Sequence, residues 1–208
     1  MNIDVEISRS FGHQKTAWQK IKSASQKTIE LKTHLDLNNL HGLSDAMLGH
    51  VSTMTHMKSI ILDSSSGFSA EGIKHLYRLP RLELLSLRST GVSNCALEGI
   101  GSLTSLEKLY LWKTNVTDAG LPHLTALPSL KLLWLSECKG VTDDGMVHVG
   151  RLTGLENLGL DSTAVTDDGL QQLTALTKLT TLWPPEGMWI KDNGREVRRR
   201  LDRKGGKE

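Results

Sequence analysis

Apolar and polar positions repeat along most of the chain with a period of 24 or 25 residues. Within one copy, apolar and polar residues alternate around Leu109-Tyr110-Leu111, which predicts a short strand with its leucines facing the core. Farther along the same copy, Leu121, Leu124 and Leu127 are spaced three residues apart, which predicts helical turns that pack onto the strand leucines. Each copy therefore predicts one strand followed by one helical segment.

The copies match one another closely enough to be aligned residue by residue. Residues 106–127 correspond to residues 155–176, including Val116-Thr117-Asp118 against Val165-Thr166-Asp167. A single copy is too small to bury its own apolar side, so neighbouring copies must stack to form one continuous core. The copies begin at Lys32, Met57, Leu82, Leu106, Leu130, Leu155 and Leu179.

This pattern resembles the leucine-rich repeat family over about residues 32–190. Its Val-Thr-Asp-x-Gly-Leu half is similar to a subclass found in many bacterial repeat proteins and, with cysteine in place of Thr114 or Thr163, in F-box-associated receptors. The resemblance implies a curved α/β solenoid, with parallel strands on the concave face, helices on the convex face and caps at both ends. It also implies that the protein binds other macromolecules.

Two features of the repeat predict local hydrogen bonds. Thr117-Asp118 and Thr166-Asp167 stand where a helical turn begins, and are expected to cap it by accepting backbone N–H groups. A small hydroxyl or thiol side chain, expected to satisfy backbone groups of the turn, fills one equivalent inner position in five copies: Ser65, Thr90, Thr114, Cys138 and Thr163.

The chain on either side of the repeats follows a different pattern. Residues 1–31 contain a predicted amphipathic helix around Gln14–Ile29, which we expect to cap the first repeat rather than to bind a partner or a membrane surface. After the last repeat, Trp183-Pro184-Pro185 stops the strand pattern, because proline cannot donate a hydrogen bond to a strand ladder. Trp189 and Ile190 are then expected to close the last core layer.

Residues 191–208 form a basic C-terminal tail. They carry eight basic residues against four acidic ones, whereas the rest of the chain has a net charge of −2. A short capping helix through Val197 and Leu201 is the favoured interpretation, and an electrostatic arm for nucleic acid or an acidic partner is the alternative. The tail has no interleaved aromatic residues, so it would bind nucleic acid weakly and with strong salt dependence.

Composition supports a folded domain and excludes several classes of protein. Of the 208 residues, 38% are hydrophobic but only 4% are aromatic, so aliphatic side chains must build the core. The formal net charge of +2 disfavours a protein whose whole surface binds nucleic acid. Two cysteines cannot staple a secreted scaffold or complete a four-ligand zinc site. With no signal peptide and no membrane helix in the sequence, we expect a monomer in the cytoplasm.

The sequence contains no recognisable catalytic constellation. It lacks a Gly-x-Ser-x-Gly motif, a phosphate loop and a His-Glu-x-x-His motif, and the acid pairs Asp143-Asp144 and Asp167-Asp168 stand at capping positions. His50, His75, His123 and His148 share one helical phase, and they fit a half-exposed position better than a metal site. His34, Asp36 and Asn38 line one strand face near Asp63, but residues two apart on a strand are separated by ~6.6 Å, which is long for ligands of one metal ion. We therefore expect no enzyme activity, small-molecule substrate, metal or cofactor.

Four of the nine aromatic residues fall on outward-facing strand positions, which are the third, fifth and seventh positions of each copy. Tyr110, Trp112 and Trp134 lie on two adjacent strands, and Trp183 lies on the last strand. Adjacent strands are ~4.8 Å apart, so Tyr110 and Trp134 should lie side by side. Because Gly159 has no side chain, we expect a slot of ~10 Å between the indoles of Trp134 and Trp183.

These aromatic residues have two interpretations. They either stack on one another or lie under a terminal segment, or they form an exposed apolar patch that binds a partner. The second interpretation is favoured because tryptophan and tyrosine dominate binding hot spots, and charged neighbours would orient a partner of complementary charge. The predicted partner-binding residues are Arg88, Lys108, Tyr110, Trp112, Trp134, Asp161 and Trp183.

The sequence therefore predicts a non-enzymatic recognition module that binds a protein or peptide on the concave face of its solenoid. One alternative is an adaptor subunit of a larger assembly of ligase or defence type, although no F-box-like helical domain is visible. Another alternative is a protein that binds carbohydrate or nucleic acid through the aromatic residues and the basic tail. Nucleic acid is disfavoured by the charge balance, and we expect no membrane binding.

Overall fold

Seven short parallel strands, one from each copy of the repeat, form a single sheet. The computed structural model describes residues 12–25, 33–185, 190–192 and 195–197. The strands are β1 His34–Asp36, β2 Ser59–Ile61, β3 Leu84–Ser86, β4 Lys108–Tyr110, β5 Leu132–Trp134, β6 Asn157–Gly159 and β7 Thr181–Trp183. They pair in chain order with a constant register, so equivalent residues of neighbouring copies lie side by side.

A helical segment follows each strand from β1 to β6 and leads the chain back to the start of the next strand. The helices are α1 Gly12–Ser25, which precedes the sheet, α2 Asp45–Val51, α3 Ala70–Leu76, α4 Asn94–Ile100, α5 Asp143–Val149 and α6 Asp167–Gln171. In the fourth copy the segment is a 3-10 helix over Asp118–Ala126, and a 3-10 turn over Gln172–Ala175 continues α6. The fold is an α/β leucine-rich-repeat solenoid, as the sequence predicts.

One continuous core lies between the sheet and the helical segments. Leu85, Leu109 and Leu133 occupy the centres of adjacent strands and are completely buried. Leu121 and Leu124 of the 3-10 helix are buried against the same core, and their three-residue spacing fits the three residues per turn of such a helix. Truncation of a buried leucine costs ~2–5 kcal/mol, so this stack of leucines is the main source of stability.

A residue in the left-handed region ends each strand segment and turns the chain away from the sheet. This eighth position has φ between 53° and 58° in six copies, although none of the residues is glycine: Asn39, Ser64, Ser89, Lys113, Glu137 and Ser162. The next residue then bonds to the backbone. Thr90, Thr114 and Thr163 donate to a carbonyl oxygen of their own copy, and Ser65 and Cys138 donate to one of the preceding copy. The predicted ladder of small polar side chains is confirmed.

Asp118 and Asp143, which begin helical segments, bond to the following copy instead of capping their own helices. Thr142 and Thr166 cap their helices, and each hydroxyl accepts the N–H of the residue two positions later. Thr117 makes no side-chain capping bond, so the predicted cap is confirmed for Thr166 and wrong for Thr117. Asp118 accepts the backbone N–H and the hydroxyl of Thr142 at 2.9 and 2.7 Å, and Asp143 accepts the same two donors from Thr166. The prediction that these carboxylates cap their own helices is wrong, because they face the next copy, where two donors need an acceptor.

Each of these bridging side chains fills the space that a Cβ would need in the following copy. A Cβ at Gly145 would lie 2.3 Å from Oδ1 of Asp118. The same crowding applies to Gly72 beside Asp45, Gly120 beside Asn94 and Gly169 beside Asp143. Ala70 replaces the bridging residue in one copy, and there the next copy has Ala96 in place of glycine. The bridging side chain and the glycine therefore occur as a pair.

The helix α1 lies in the segment where the sequence predicts an amphipathic helix. Its residues Ala17 and Ile21 are completely buried, and Trp18 is partly buried against the core. The helix contacts β1 and α2, so it lies at the end of the sheet that the first copy forms. Ile29, which the prediction included, lies outside the described residues.

After the sheet, two short paired strands lie where the sequence predicts a helix. The strands β8 Ile190–Asp192 and β9 Arg195–Val197 pair in antiparallel fashion, so the expectation of a helix through Val197 is wrong. Asn193-Gly194 stands between them, and this dipeptide is the one most typical of a two-residue hairpin loop. That local signal outweighs the helical spacing of Val197 and Leu201. Trp189 and Leu201 lie outside the described residues.

Candidate partner-binding face

The outward side chains of the seven strands form one surface, which we call the sheet face. It consists of the third, fifth and seventh residues of each copy, because successive residues of a strand point to opposite sides of a sheet. Lys108, Tyr110 and Trp112 reach this face, whereas Leu109 and Leu111 between them are completely buried, as the sequence predicts. The constant register arranges the equivalent residues in three rows that cross the sheet.

Three rings in the fifth-position row are in contact, and we call Tyr110, Trp134 and Trp183 the aromatic row. Tyr110 and Trp134 stand at paired positions and stack with 6.2 Å between ring centres and 25° between planes. The ring centres of Trp134 and Trp183 are 4.5 Å apart, with 40° between the planes. All three side chains are half-buried. The predicted side-by-side placement of Tyr110 and Trp134 is confirmed.

The predicted slot between Trp134 and Trp183 does not exist. A Cβ at Gly159 would lie 2.9 Å from the indole of Trp134, so the missing side chain makes room for that indole instead of leaving a gap. Contact between rings is favourable, and an empty apolar slot would forgo it. The rings therefore stack on one another and remain half-exposed, so a partner would meet a continuous row of rings without a pocket between them.

Trp112 does not join the aromatic row. It lies in the seventh-position row, where the guanidinium of Arg88 is 4.7 Å from the centre of its ring. Its indole N–H donates to Glu137 at 3.1 Å. Arg88 is also 3.9 Å from the carboxylate of Asp63, which accepts the backbone N–H of Arg88 and the hydroxyl of Ser86. Two of the predicted site residues thus bond to each other and to their neighbours on the sheet face.

Asp161 and Lys108 complete the set of predicted site residues. Asp161 is half-buried in the seventh-position row and accepts the hydroxyl of Ser136 at 2.6 Å. Lys108 is exposed in the third-position row of β4, and it has no ion-pair partner in the part of the chain that the structure describes. The structure therefore brings Asp161 towards the Trp183 end of the aromatic row and Lys108 towards the Tyr110 end.

The other side chains that could ligate a metal ion or react chemically form no further site in the described residues. Within residues 12–25, 33–185, 190–192 and 195–197, no three histidine, cysteine, aspartate or glutamate side chains are arranged to hold a metal ion. The ring of His50 meets Trp18 edge-on at 5.1 Å between centres. Both cysteines are free, and burial raises the pKa of the Cys138 thiol. None of the helices described is long and apolar enough to cross a membrane.

Sequence reasoning missed the arrangement around Arg88, although a signal for it was present. Asp63, Arg88 and Trp112 all occupy the seventh position of consecutive copies. A constant register sets such residues side by side, so an acid, a base and a ring in this order predict a cation held between a carboxylate and an aromatic face. Pairing of residues across copies is as informative as their position within one copy.

No protein-family model matches the chain, and no curated protein matches it. Among solved structures, the chain is similar to the crystal structure of an internalin, InlF, from Listeria monocytogenes, with 18% sequence identity and a TM-score of 0.47. The match covers 76% of this chain and 56% of the internalin chain. This chain therefore spans little more than half the length of that structure. The seven parallel strands of the sheet fit a leucine-rich-repeat solenoid, and the Val-Thr-Asp-x-Gly-Leu subclass stays a prediction.

Proposed function

We propose that the protein is a non-enzymatic recognition module that binds a protein or peptide on its sheet face through the aromatic row. The contact of three half-exposed rings carries this proposal. Tyrosine and tryptophan bring a large apolar area to an interface at a small cost in side-chain entropy, which is why they dominate binding hot spots. Elsewhere in the described residues, Val147 on α5 is the one large hydrophobic residue that counts as exposed, with 43% of its surface accessible.

The stacking of the rings supports the same proposal, because it orders them before a partner arrives. Side chains that are already immobilised lose little freedom on binding, so more of the contact energy contributes to affinity. The row extends from β4 to β7, a distance of roughly 14 Å at the usual strand spacing. That length accommodates about four residues of an extended peptide.

The proposal includes a place of action and an assembly state. Both cysteines are free thiols, which fits a reducing compartment, and we propose that the protein acts in the cytoplasm. We propose that it is a monomer whose partner is a different protein. Neither a cofactor nor a small-molecule substrate forms part of this account.

Selection from a displayed library of random peptides tests the proposal. The wild-type chain should select peptides whose binding is lost in Trp134→Ala and kept in Val147→Asp, a variant altered on the helix side. Melting curves of both variants control for folding. The proposal is overturned if the selected peptides bind Trp134→Ala as tightly as the wild type, or if Val147→Asp abolishes their binding.

A further inference from the structure

We propose that the sheet face binds an arginine side chain of its partner at Asp161, with the guanidinium held between that carboxylate and the ring of Trp183. This inference rests on the proposed function, since it names the chemistry of the segment that the aromatic row receives. The occupant is an extended segment of another protein. One basic side chain of that segment lies at Asp161, and its neighbouring apolar residues lie along the aromatic row.

The same sheet face already contains one arginine held in this way. The guanidinium of Arg88 lies 3.9 Å from the carboxylate of Asp63 and 4.7 Å from the ring centre of Trp112. The carboxylate balances the charge, and the ring interacts favourably with the cation through its π face. Asp63 and Trp112 belong to the copies on either side of the one that carries Arg88, and on this face a carboxylate and an indole together hold its guanidinium.

Asp161 has fewer donors around it than Asp63, although both stand at the seventh position of their copies. Asp63 accepts the hydroxyl of Ser86 and the backbone N–H of Arg88, both from the following copy. The residues equivalent to these donors beside Asp161 are Trp183, which has no hydroxyl, and Pro185, which has no N–H.

The carboxylate of Asp161 is consequently under-satisfied. Among the described residues the hydroxyl of Ser136 is its one hydrogen-bond donor, and this bond uses one carboxylate oxygen. In the described part of the chain no basic group lies within ion-pair distance of Asp161. The sheet-face positions of the last three copies contain neither lysine nor arginine. A half-buried carboxylate with a free oxygen favours a cation supplied from outside.

The position of Trp183 favours arginine over lysine as that cation. Trp183 pairs with Gly159, and Asp161 is the next outward residue after Gly159 on the same face. Diagonal neighbours of this kind are ~7–8 Å apart, within reach of long and aromatic side chains. A planar guanidinium can stack on the indole while its N–H groups donate to the carboxylate, whereas an ammonium is a compact charge that cannot stack.

Tryptophan indole N–H resonances of the full chain report this binding directly. Titration with acetyl-Gly-Arg-Gly-amide should shift the Trp183 signal in a saturable way, and the citrulline peptide, which has the same shape without the charge, should bind about tenfold more weakly. Asp161→Asn keeps an acceptor for the hydroxyl of Ser136 and should lower the affinity for the arginine peptide by about tenfold. Asp144→Asn, an exposed position on α5, should leave the affinity unchanged.

Four results would overturn the inference. Equal affinity for the arginine and citrulline peptides would remove the role of charge, and full affinity in Asp161→Asn would remove the role of that carboxylate. Binding that appears only after Arg198, Arg199 and Arg200 are changed to glutamine would show that the chain's own tail is the occupant. If library-selected peptides depend on Trp134 but lack basic residues, the proposed function stands and this inference fails.

Discussion

Gly159 decides the geometry of the candidate site because it lets a neighbouring side chain cross its strand. The indole of Trp134 lies over this glycine and meets Trp183, which joins three rings into one row. An alanine at this position would place its Cβ 2.9 Å from that indole and from the hydroxyl oxygen of Ser136. The continuity of the aromatic row therefore depends on one residue that has no side chain.

Tyr77 plays a comparable part on the helix side of the molecule. Its ring occupies the space beside Gly99, where a Cβ would lie 1.6 Å from a ring carbon, and its hydroxyl donates to the carbonyl of Ala96 at 2.7 Å. Burial raises the pKa of Tyr77 to about 12, with further contributions from the negative charges of Glu71 and Glu98. The phenol is therefore held in its neutral form.

This pKa predicts a loss of stability in strongly alkaline solution. Tyr77 has a higher pKa in the folded chain than in the unfolded chain, so its contribution is complete below about pH 10 and is lost as the pH rises towards about 12. Urea unfolding across this range should show a steeper decline for the wild type than for Tyr77→Phe, which cannot ionise. Parallel declines in the two proteins would contradict the assigned pKa.

Side-chain pairs connect neighbouring helical segments of the repeat. Asp118 bonds to Thr142 and needs Gly145 beside it. The same arrangement recurs at Asp45, Asn94 and Asp143. Ala70 interrupts this series. The cap residue of the next helix, Ser93, makes no side-chain capping bond.

Restoring the missing pair predicts a non-additive gain in stability. Ala70→Asp alone should destabilise the fold, because its carboxylate would meet the Cβ of Ala96. Ala96→Gly alone should cost ~1 kcal/mol in helix propensity. The double variant should gain two hydrogen bonds to Ser93, giving a favourable coupling free energy of ~1–2 kcal/mol in a double-mutant cycle.

The matched control for that cycle places asparagine in the same position. Asn94 beside Gly120 already forms such a pair with Thr117, so Ala70→Asn with Ala96→Gly should also show favourable coupling. Denaturant unfolding of the single and double variants gives the coupling free energy. Additive effects in both cycles would show that the bridging side chain and the glycine are independent of each other.

The molecule as a whole separates the residues that stabilise it from those proposed to bind. The leucines of the strands lie on the buried side of the sheet, and the aromatic row lies on the opposite side. Because each copy contacts mainly its neighbours, changes on the sheet face act locally and leave the stack of leucines intact. Binding and stability can therefore be changed independently by substitutions at adjacent positions of one strand.

The sequence predicts the sheet and its register well because the copies can be aligned with one another, so equivalent positions predict equivalent structure. The strand positions, the buried leucines and the Thr114 position all follow from periodicity. The position of the Trp134 indole over Gly159 does not follow from periodicity, because the period of the repeat predicts the backbone position of a residue and not its side-chain rotamer. Predicting the partners of Arg88 and Asp118 requires a comparison of equivalent positions across copies. Predicting the strand at Val197 requires the turn signal of Asn193-Gly194.

Adjacent residues of β5 allow the most direct test of whether the sheet face is a binding surface. Trp134→Ala should lower the affinity for a library-selected peptide by at least about thirtyfold in a titration isotherm, as hot-spot truncations of ~2 kcal/mol do. The melting temperature of this variant should change little. Leu133 faces the core, so Leu133→Ala should lower the free energy of unfolding by ~2–5 kcal/mol. If Trp134→Ala destabilises the fold as much as Leu133→Ala while the peptide still binds with full affinity, the aromatic row is structural and the central claim is wrong.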